Sequence, residues 1–156
     1  MLLSLAVAGQ SPAAPHGACP PAGSAAVLVD VTGFKARVGA VRVRLFGPPT
    51  STYFDKKHAL VRTEIAVPAS GRVTICVPVP RPGVYAIDVR HDVNGNGKTD
   101  RADGGGASGN PRLGLLDVLL GRKPDPARVQ VRVGSGVTTV SVTLMYLQGG
   151  AFKPWR

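Results

Sequence analysis

Apolar and polar residues alternate along most of the chain beyond residue 25. In the segment 41–45, for example, Val41 and Val43 alternate with Arg42 and Arg44. A period of two places every second side chain on the same face of a strand, so each such segment predicts a half-buried β-strand. Seven segments follow this rule: 27–31, 41–45, 61–67, 73–77, 85–89, 129–133 and 140–146.

Strands with a single apolar face must bury those faces against one another. Turn signals separate the segments, among them Pro48-Pro49, Ser70-Gly71 and Gly134-Ser135-Gly136. The 20 Gly and 14 Pro also favour many short elements over long helices. The sequence therefore predicts an all-β fold, an antiparallel two-sheet β-sandwich of the immunoglobulin or transthyretin-like kind with about seven strands.

Residues 104–126 lack the alternation and form a long Gly- and Leu-rich loop after the fifth strand. Leu113, Leu116 and Leu120 stand at helical spacing, with Leu115 and Leu119 beside them, which predicts one short helical face between residues 111 and 121. Loops of this length inside a compact domain are usually functional or mobile. We expect a lid over the sheet edge, with a docking patch for a partner as the alternative.

The two ends of the chain lie outside the predicted sandwich, which is a single domain over residues 25–148. Residues 1–24 read as a leader and a Pro/Ala-rich linker, since the apolar run Met1–Ala8 resembles a secretory signal that lacks its basic front. No later segment approaches the roughly 18 unbroken apolar residues of a membrane span. We therefore expect an exported protein, periplasmic or extracellular, without a transmembrane segment in the mature chain. Residues 149–156 are a tail, either frayed or packed on the sandwich.

The most specific motif follows the fifth predicted strand and has the spacing of a calcium-binding loop. Ca²⁺ prefers six to eight oxygen ligands, and Gly97 at position six permits the sharp turn that brings such ligands together. The predicted ligands occupy loop positions one, three, five, seven, nine and twelve, and are Asp92, Asn94, Asn96, Lys98 through its backbone carbonyl, Asp100 and Asp103.

Two features predict weak binding. Asp103 is shorter than the usual bidentate Glu, and Lys98 and Arg101 place positive charge beside the carboxylates. For both reasons we expect an affinity for Ca²⁺ like that of extracellular calcium-binding modules, whose dissociation constants are on the order of 10⁻⁴–10⁻³ M. The alternative is a plain turn, because Asn and Gly tolerate left-handed backbone. An EF-hand is not expected, since Gly104-Gly105-Gly106 does not begin a stable helix.

The chain has two cysteines, Cys19 and Cys76. In an oxidising compartment we expect them to pair, because Cys76 has the opposite parity to Val73, Ile75 and Val77 and faces the side that the amino-terminal linker can reach. The alternative is two free thiols, since spacing alone does not establish a bond.

The net charge is +10, from 19 Lys and Arg against 9 acids. Such a charge favours acidic partners, but the Arg residues stand singly, without interleaved aromatics or a nucleic-acid motif. We therefore predict a solvated basic surface without a dedicated groove, and no nucleic-acid partner.

No catalytic constellation is present in the sequence. His16, His58 and His91 are isolated from any G-x-S-x-G, H-E-x-x-H or C-x-x-C motif, so we predict that the protein is not an enzyme. His91 beside Asp92 is either an ordinary loop residue or part of a transition-metal site, and the surrounding hard oxygens suit Ca²⁺ better.

Four blocks of the sequence together resemble a known family: a first strand with V-x-V, G-x-V-x-V-x-L-F at residues 39–46, a Pro-Gly turn into a strand with Tyr at residues 82–85, and H-D-x-N-G-N-G-K-x-D at residues 91–100. The chain resembles the bacterial secreted family known as domain of unknown function 2141 over about residues 25 to 147. The resemblance implies a small exported β-sandwich of unassigned function. Members usually continue with L-G-x-P-x-E and an aromatic G-F-S, which residues 104–126 replace here.

Two functions of different class follow from these observations. The first is an exported, non-catalytic module with a weak structural calcium loop that binds a cell-envelope protein or glycan. The second is a basic adhesion or scavenging protein that binds anionic polymer, whether polysaccharide, lipid headgroups or nucleic acid, through its +10 surface.

Overall fold

The computed structural model describes residues 15–17 and 19–156. Over these residues the chain forms two packed sheets, ten strands in all, with two short helices. The helices are α1 (Leu115–Leu119) and α2 (Pro126–Val129). The strands are β1 (Ala26–Thr32), β2 (Ala40–Phe46), β3 (Val61–Ala66), β4 (Val73–Pro78), β5 (Gly83–Asp92), β6 (Gly104–Ala107), β7 (Val131–Val133), β8 (Val137–Thr143), β9 (Met145–Gln148) and β10 (Ala151–Pro154).

The smaller sheet has the order β4-β1-β8 and the larger one the order β10-β9-β6-β5-β2-β3, with β7 paired to the first residues of β5. The core lies between the two sheets. Its buried members include Val29 and Ile75 from the small sheet and Val43, Ile87 and Tyr146 from the large one. The two-sheet all-β sandwich predicted from the alternation is confirmed, because the apolar positions of each strand face this core.

One strand pair departs from the antiparallel arrangement. Strands β1 and β8 are parallel, with Val29 opposite Val140. Parallel neighbours need a crossover of a dozen or more residues, and the long excursion of the chain through the second sheet provides it. The prediction of a purely antiparallel sandwich is therefore wrong at this pair.

The strand count also differs from the predicted seven, for three local reasons. The predicted strand 140–146 divides at Leu144, where the chain leaves the small sheet and enters the large one. Strand β6 carries three glycines, which hide any alternation. The tail forms β10 and pairs with β9, so it is packed on the sandwich rather than frayed.

Further along the predicted loop, α1 falls within residues 111–121, where a short helix was expected. The predicted apolar face is only partly correct. Leu113, Leu115 and Leu119 line a groove on the outer surface of the large sheet, together with Val118, whereas Leu116 and Leu120 do not line it and are 69% and 63% exposed. No helix among the described residues is long and apolar enough to cross a membrane.

Residues of the amino-terminal linker pair with the edge of the small sheet. The His16 amide donates to the Thr74 carbonyl at 2.7 Å, and the Cys76 amide donates to the His16 carbonyl at 2.8 Å. The leader, Met1–Ala8, lies outside the described residues.

Candidate functional site

The predicted cation loop connects β5 to β6. These strands are antiparallel and their last pair is His91 with Gly104, so residues 93–103 form the end of a hairpin. Asp92 and Asp103, at the two ends of the loop, are both buried, although the residues between them are largely exposed. The hairpin therefore holds one carboxylate at each of its two base positions.

Asp92 organises the first half of the loop. Its Oδ1 accepts the Asn96 amide at 3.2 Å, and its Oδ2 accepts the Gly97 amide at 2.7 Å and the Arg90 guanidinium at 3.0 Å. Gly97 has a φ of 73°, so its left-handed backbone produces the turn required at loop position six. Burial acts to raise the pKa of Asp92, but the Gly97 amide and the Arg90 charge outweigh it and hold this pKa below its ordinary value.

Asp100 and Asp103 organise the second half. Asp100 Oδ2 accepts the side-chain amides of Asn94 at 2.7 Å and of Asn96 at 3.0 Å. Asp103 accepts the backbone amides of Val93 and Asp100, each at 3.2 Å. The hydrogen bond from Asn94, followed by that from the Ala102 amide, lowers the pKa of Asp100. Asp100 is therefore suited to remain ionised.

The structure joins five of the predicted ligands in one network of side-chain and backbone hydrogen bonds: Asp92, Asn94, Asn96, Asp100 and Asp103. Of the sixth, Lys98, the backbone amide donates to Asn96 Oδ1 at 2.8 Å. No group of three His, Cys, Asp or Glu side chains arranged to hold a metal ion occurs among the described residues.

The donor chemistry of the loop suits a hard cation, but its hydrogen bonds occupy the oxygens. The Asn94 and Asn96 side chains present N–H groups, not oxygens, to Asp100. Rotation of each amide by about half a turn would present oxygen instead, since this terminal torsion has a broad, roughly two-fold profile. Arg90 would also have to leave Asp92. The residue types therefore fit Ca²⁺, whereas the hydrogen-bonded arrangement must change to receive it.

His91 does not belong to the loop. It is fully buried, its Nδ1 lies 2.6 Å from the Tyr146 hydroxyl and its Nε2 lies 2.8 Å from the Val38 carbonyl. Both ring nitrogens are therefore engaged within the core. The interpretation of His91 as an ordinary loop residue is wrong, because His91 lies on β5 and its side chain is buried on the core side of that strand.

A groove adjoins the loop on the outer face of the large sheet, with a cavity volume of about 1290 Å³. Seven basic side chains line it against three acidic ones. Arg42 and Arg90, directly opposite each other on β2 and β5, both have a buried Nε without a hydrogen-bond partner. Arg44 is paired with Asp88, through an Nε to Oδ1 distance of 2.9 Å. Arg90 is paired with Asp92, so among the described residues Arg42 is the member of this pair that lacks a carboxylate partner.

Comparison with known proteins identifies the family. The model of a family described as uncharacterized proteins conserved in bacteria (DUF2141) matches residues 29–141, well over half of the chain. The chain belongs to this family. The DUF2141 match extends from β1 into β8 and includes the loop and the basic part of the groove, whereas β9 and β10 lie beyond it. Neither the curated proteins nor the solved structures give a match.

In this DUF2141 chain the predicted disulfide is present, with Cys19 and Cys76 at a Cα–Cα distance of 5.3 Å. The basic groove, in contrast, was missed, since the sequence predicted a solvated surface without one. The available signal was the occurrence of Arg42, Arg44 and Arg90 on the non-core parity of their strands. That signal does not reveal which strands are neighbours, and the strand order is what brings Arg42 and Arg90 together.

Proposed function

We propose that this DUF2141 protein is an exported, non-catalytic binding module whose loop 92–103 binds Ca²⁺ weakly and whose adjoining groove receives a ligand of the cell envelope. The observation that carries the proposal is the placement of the loop. Thr99, Asp100, Arg101 and Asp103 belong both to the loop and to the wall of the groove. A cation bound in the loop would therefore fix one wall of the groove.

Arg90 links the two features. Its guanidinium contacts Asp92 at 3.0 Å and the Thr99 hydroxyl at 2.9 Å, while its side chain lines the groove. Ca²⁺ on the loop would compete with Arg90 for the Asp92 carboxylate. The guanidinium would then be free to turn toward a ligand in the groove, so cation and ligand are expected to bind with positive coupling.

A binding role suits the placement of the histidines better than catalysis does. His91 is held between Tyr146 and Val38, and His58 pairs with Asp55 at 3.1 Å on an exposed turn. Neither lines the groove. General acid–base chemistry needs a titratable side chain within hydrogen-bond reach of the substrate, and these two imidazoles do not offer one there.

Calcium titration of the exported chain tests the proposal. Thermal unfolding is followed in chelator and in Ca²⁺ up to about 10 mM, a range that includes dissociation constants of 10⁻⁴–10⁻³ M. At a Ca²⁺ concentration a hundred times the dissociation constant, the free energy of unfolding should rise by about 2.7 kcal/mol. Asp92→Ala should abolish the rise, and Glu64→Ala, which removes an exposed carboxylate from β3, should keep it.

Asp103→Glu provides a second test, in which the substitution is expected to strengthen Ca²⁺ binding and not to remove a ligand. The longer side chain can reach bidentate geometry, so this variant should bind Ca²⁺ more tightly than the unmodified protein. A melting temperature indifferent to Ca²⁺ in all of these proteins would leave only the plain turn.

A second function is favoured by the seven basic side chains that line the groove. These side chains suit a protein that adheres to anionic polymer. Polymer binding that releases several counterions should weaken steeply with salt, as the slope of log affinity against log salt for polyphosphate would report. A steep slope, together with indifference to chelator, would favour this function over the calcium-dependent module.

A further inference from the structure

One row of side chains crosses the outer face of the large sheet from charged to apolar. Strand pairing places Arg42 opposite Arg90, Arg90 opposite Gly105, and Gly105 opposite Met145. Pro154 follows on β10. The row thus begins with two arginines, passes over a residue without a side chain and ends on apolar residues.

Gly105 opens the centre of this row. A Cβ built there would meet only the Val89 carbonyl oxygen, at 3.7 Å, which is an ordinary contact. Gly104 and Gly106 differ, because a Cβ at those positions would overlap the Tyr146 ring or approach the Thr143 carbonyl at 2.7 Å. Packing on the core side of β6 therefore requires glycine at 104, against Tyr146 of the same sheet, and at 106, against β8 of the small sheet, whereas at 105 there is room on the outer face.

At the charged end of the row, Arg90 is paired with Asp92 at 3.0 Å, whereas Arg42 has no ion-pair partner among the described residues. Glu64 lies opposite Arg42 on β3 but contacts Arg62 at 3.2 Å instead. Burial, followed by the charges of Arg90 and Arg44, lowers the pKa of Arg42. An anion in the groove would supply the charged partner that the Arg42 guanidinium lacks among the described residues.

Apolar side chains line the groove both from α1 and from the strands at the apolar end of the row. Leu115, Val118 and Leu119 line the groove from this helix, and Met145, Leu147 and Phe152 line it from β9 and β10. Val118 is 46% and Leu119 70% exposed, so the helix does not close onto the sheet. Apolar surface that remains exposed on both sides of one cleft is typical of a ligand site.

We propose that the groove binds a single-chain amphiphile with one carboxylate head, the head between Arg42 and Arg90 and the aliphatic chain over Gly105 and beneath α1. Four strand spacings separate β2 from β10, a span of about 19 Å, which accommodates a chain on the order of ten carbons. The cavity of about 1290 Å³ exceeds the volume such a ligand needs. This inference rests on the proposed function only in naming the ligand of the same groove.

Isothermal titration with three probes tests the assignment. Decanoate carries both features, acetate carries the head alone and decanol the chain alone. We expect the unmodified protein to bind decanoate at least about tenfold more tightly than either of the others, because each lacks one of the two contacts. Equal affinity for acetate and decanoate, or for decanol and decanoate, would overturn the proposal.

Two variants locate the site. Arg42→Gln should weaken decanoate binding about tenfold or more through loss of a charged partner. Gly105→Ile should abolish it by filling the groove, and because the added Cβ has room the variant should melt no lower than the unmodified protein. Arg132→Gln removes an exposed arginine of β7 outside the groove and should change the affinity by less than about twofold.

The titration is run in Ca²⁺ and in chelator, so that failure of the amphiphile site can be distinguished from failure of the calcium loop. Decanoate binding that depends on Arg42 and Gly105 in both buffers supports the amphiphile site even if the loop does not bind Ca²⁺. Stabilisation by Ca²⁺ without decanoate binding overturns the amphiphile site and leaves the calcium module. Polyphosphate binding in place of decanoate overturns it in favour of a polymer.

Discussion

At the scale of single residues, a chain of hydrogen bonds through His91 connects the segment after β1 to the core. The Val38 carbonyl only accepts, so His91 Nε2 carries the proton and donates at 2.8 Å. Nδ1 must then accept from the Tyr146 hydroxyl at 2.6 Å, and that hydroxyl in turn accepts from the Lys35 amide at 3.2 Å. Each of these groups has a partner only while His91 is neutral, because a proton on Nδ1 would leave the Tyr146 hydroxyl without an acceptor.

This network predicts that stability falls with acid near neutral pH. Burial lowers the pKa of His91, outweighing the Val38 carbonyl and the charges of Asp103 and Asp92, while Lys35 acts with burial. The unfolded imidazole takes up a proton near pH 6.5, so the stabilisation is complete above that pH and is lost as the pH falls toward the folded pKa. Urea unfolding at pH 7.5 and pH 5 should therefore give a lower free energy of unfolding at pH 5.

His91→Phe tests the assignment of this pH dependence. The variant should be less stable at pH 7.5 by about 1–3 kcal/mol, since Val38 and Tyr146 lose their partner, but it should vary less between the two pH values. His58→Ala is the control, because that imidazole is 53% exposed and its removal should leave the pH dependence intact. An unchanged pH dependence in His91→Phe would refute the assignment.

Gly39 shows how one residue fixes the base of the hairpin loop. Its φ is 74°, and a Cβ there would overlap the Asp92 carbonyl oxygen and lie 2.7 Å from the Val93 oxygen. Gly39→Ala should therefore destabilise the protein by about 2–5 kcal/mol, from the left-handed backbone and the overlap together. Gly71→Ala separates the two causes, since its φ is 82° with nothing near the added Cβ. Equal losses in the two variants by chemical denaturation would show that the overlap costs nothing.

At the scale of elements, β5 serves both the core and the groove. Its odd-numbered residues, such as Ile87, face the core, while Asp88 and Arg90 face the groove, and its last residue begins the loop. Alternation within one segment is a local pattern, so the existence of β5 and the loop register could be predicted from the sequence. Loop 92–103 was found for the same reason, since its spacing is continuous in the chain.

The groove could not be predicted in this way, because it depends on which strands are neighbours. Arg42 and Arg90 are distant in the sequence and meet only through the β2–β5 register. Strand β6 escaped detection since glycine carries no apolar signal, yet its place between β5 and β9 makes the floor of the groove. The parallel β1–β8 pair was missed for a related reason: an apolar alternation does not encode strand direction.

The amino-terminal arm is attached to β4 by a disulfide and a β-bridge. The bond between Cys19 and Cys76 closes a sequence separation of 57 residues, and His16 pairs with Ile75 beside it. Replacing both cysteines by Ala should lower the free energy of unfolding by about 2–4 kcal/mol, because the unfolded chain gains conformational freedom. Reductant should lower the stability of the unmodified protein but not that of the double variant. Alkylation of both thiols without reductant would contradict the pairing.

At the scale of the whole molecule, charge is distributed unevenly. The chain has 9 acidic residues and a net charge of +10, and Asp92, Asp100 and Asp103 all lie in the single hairpin loop. A cation that approaches this loop is repelled by the distant positive charges and attracted by carboxylates within a few ångströms. These opposing terms respond differently to salt, because the Debye length of about 10 Å at 0.1 M screens distant charges more than adjacent ones.

This distribution predicts an unusual salt dependence for the proposed calcium loop. Raising KCl from about 10 to 150 mM should remove more of the long-range repulsion than of the local attraction, so the dissociation constant for Ca²⁺ should stay constant or fall. In a protein with net negative charge, the same increase in KCl would screen a long-range attraction and would therefore raise the dissociation constant for Ca²⁺. Titration at the two ionic strengths, with Arg132→Gln as a variant of reduced distant charge, measures the effect. A dissociation constant that rises several-fold with KCl would show that the +10 charge does not govern access to the loop.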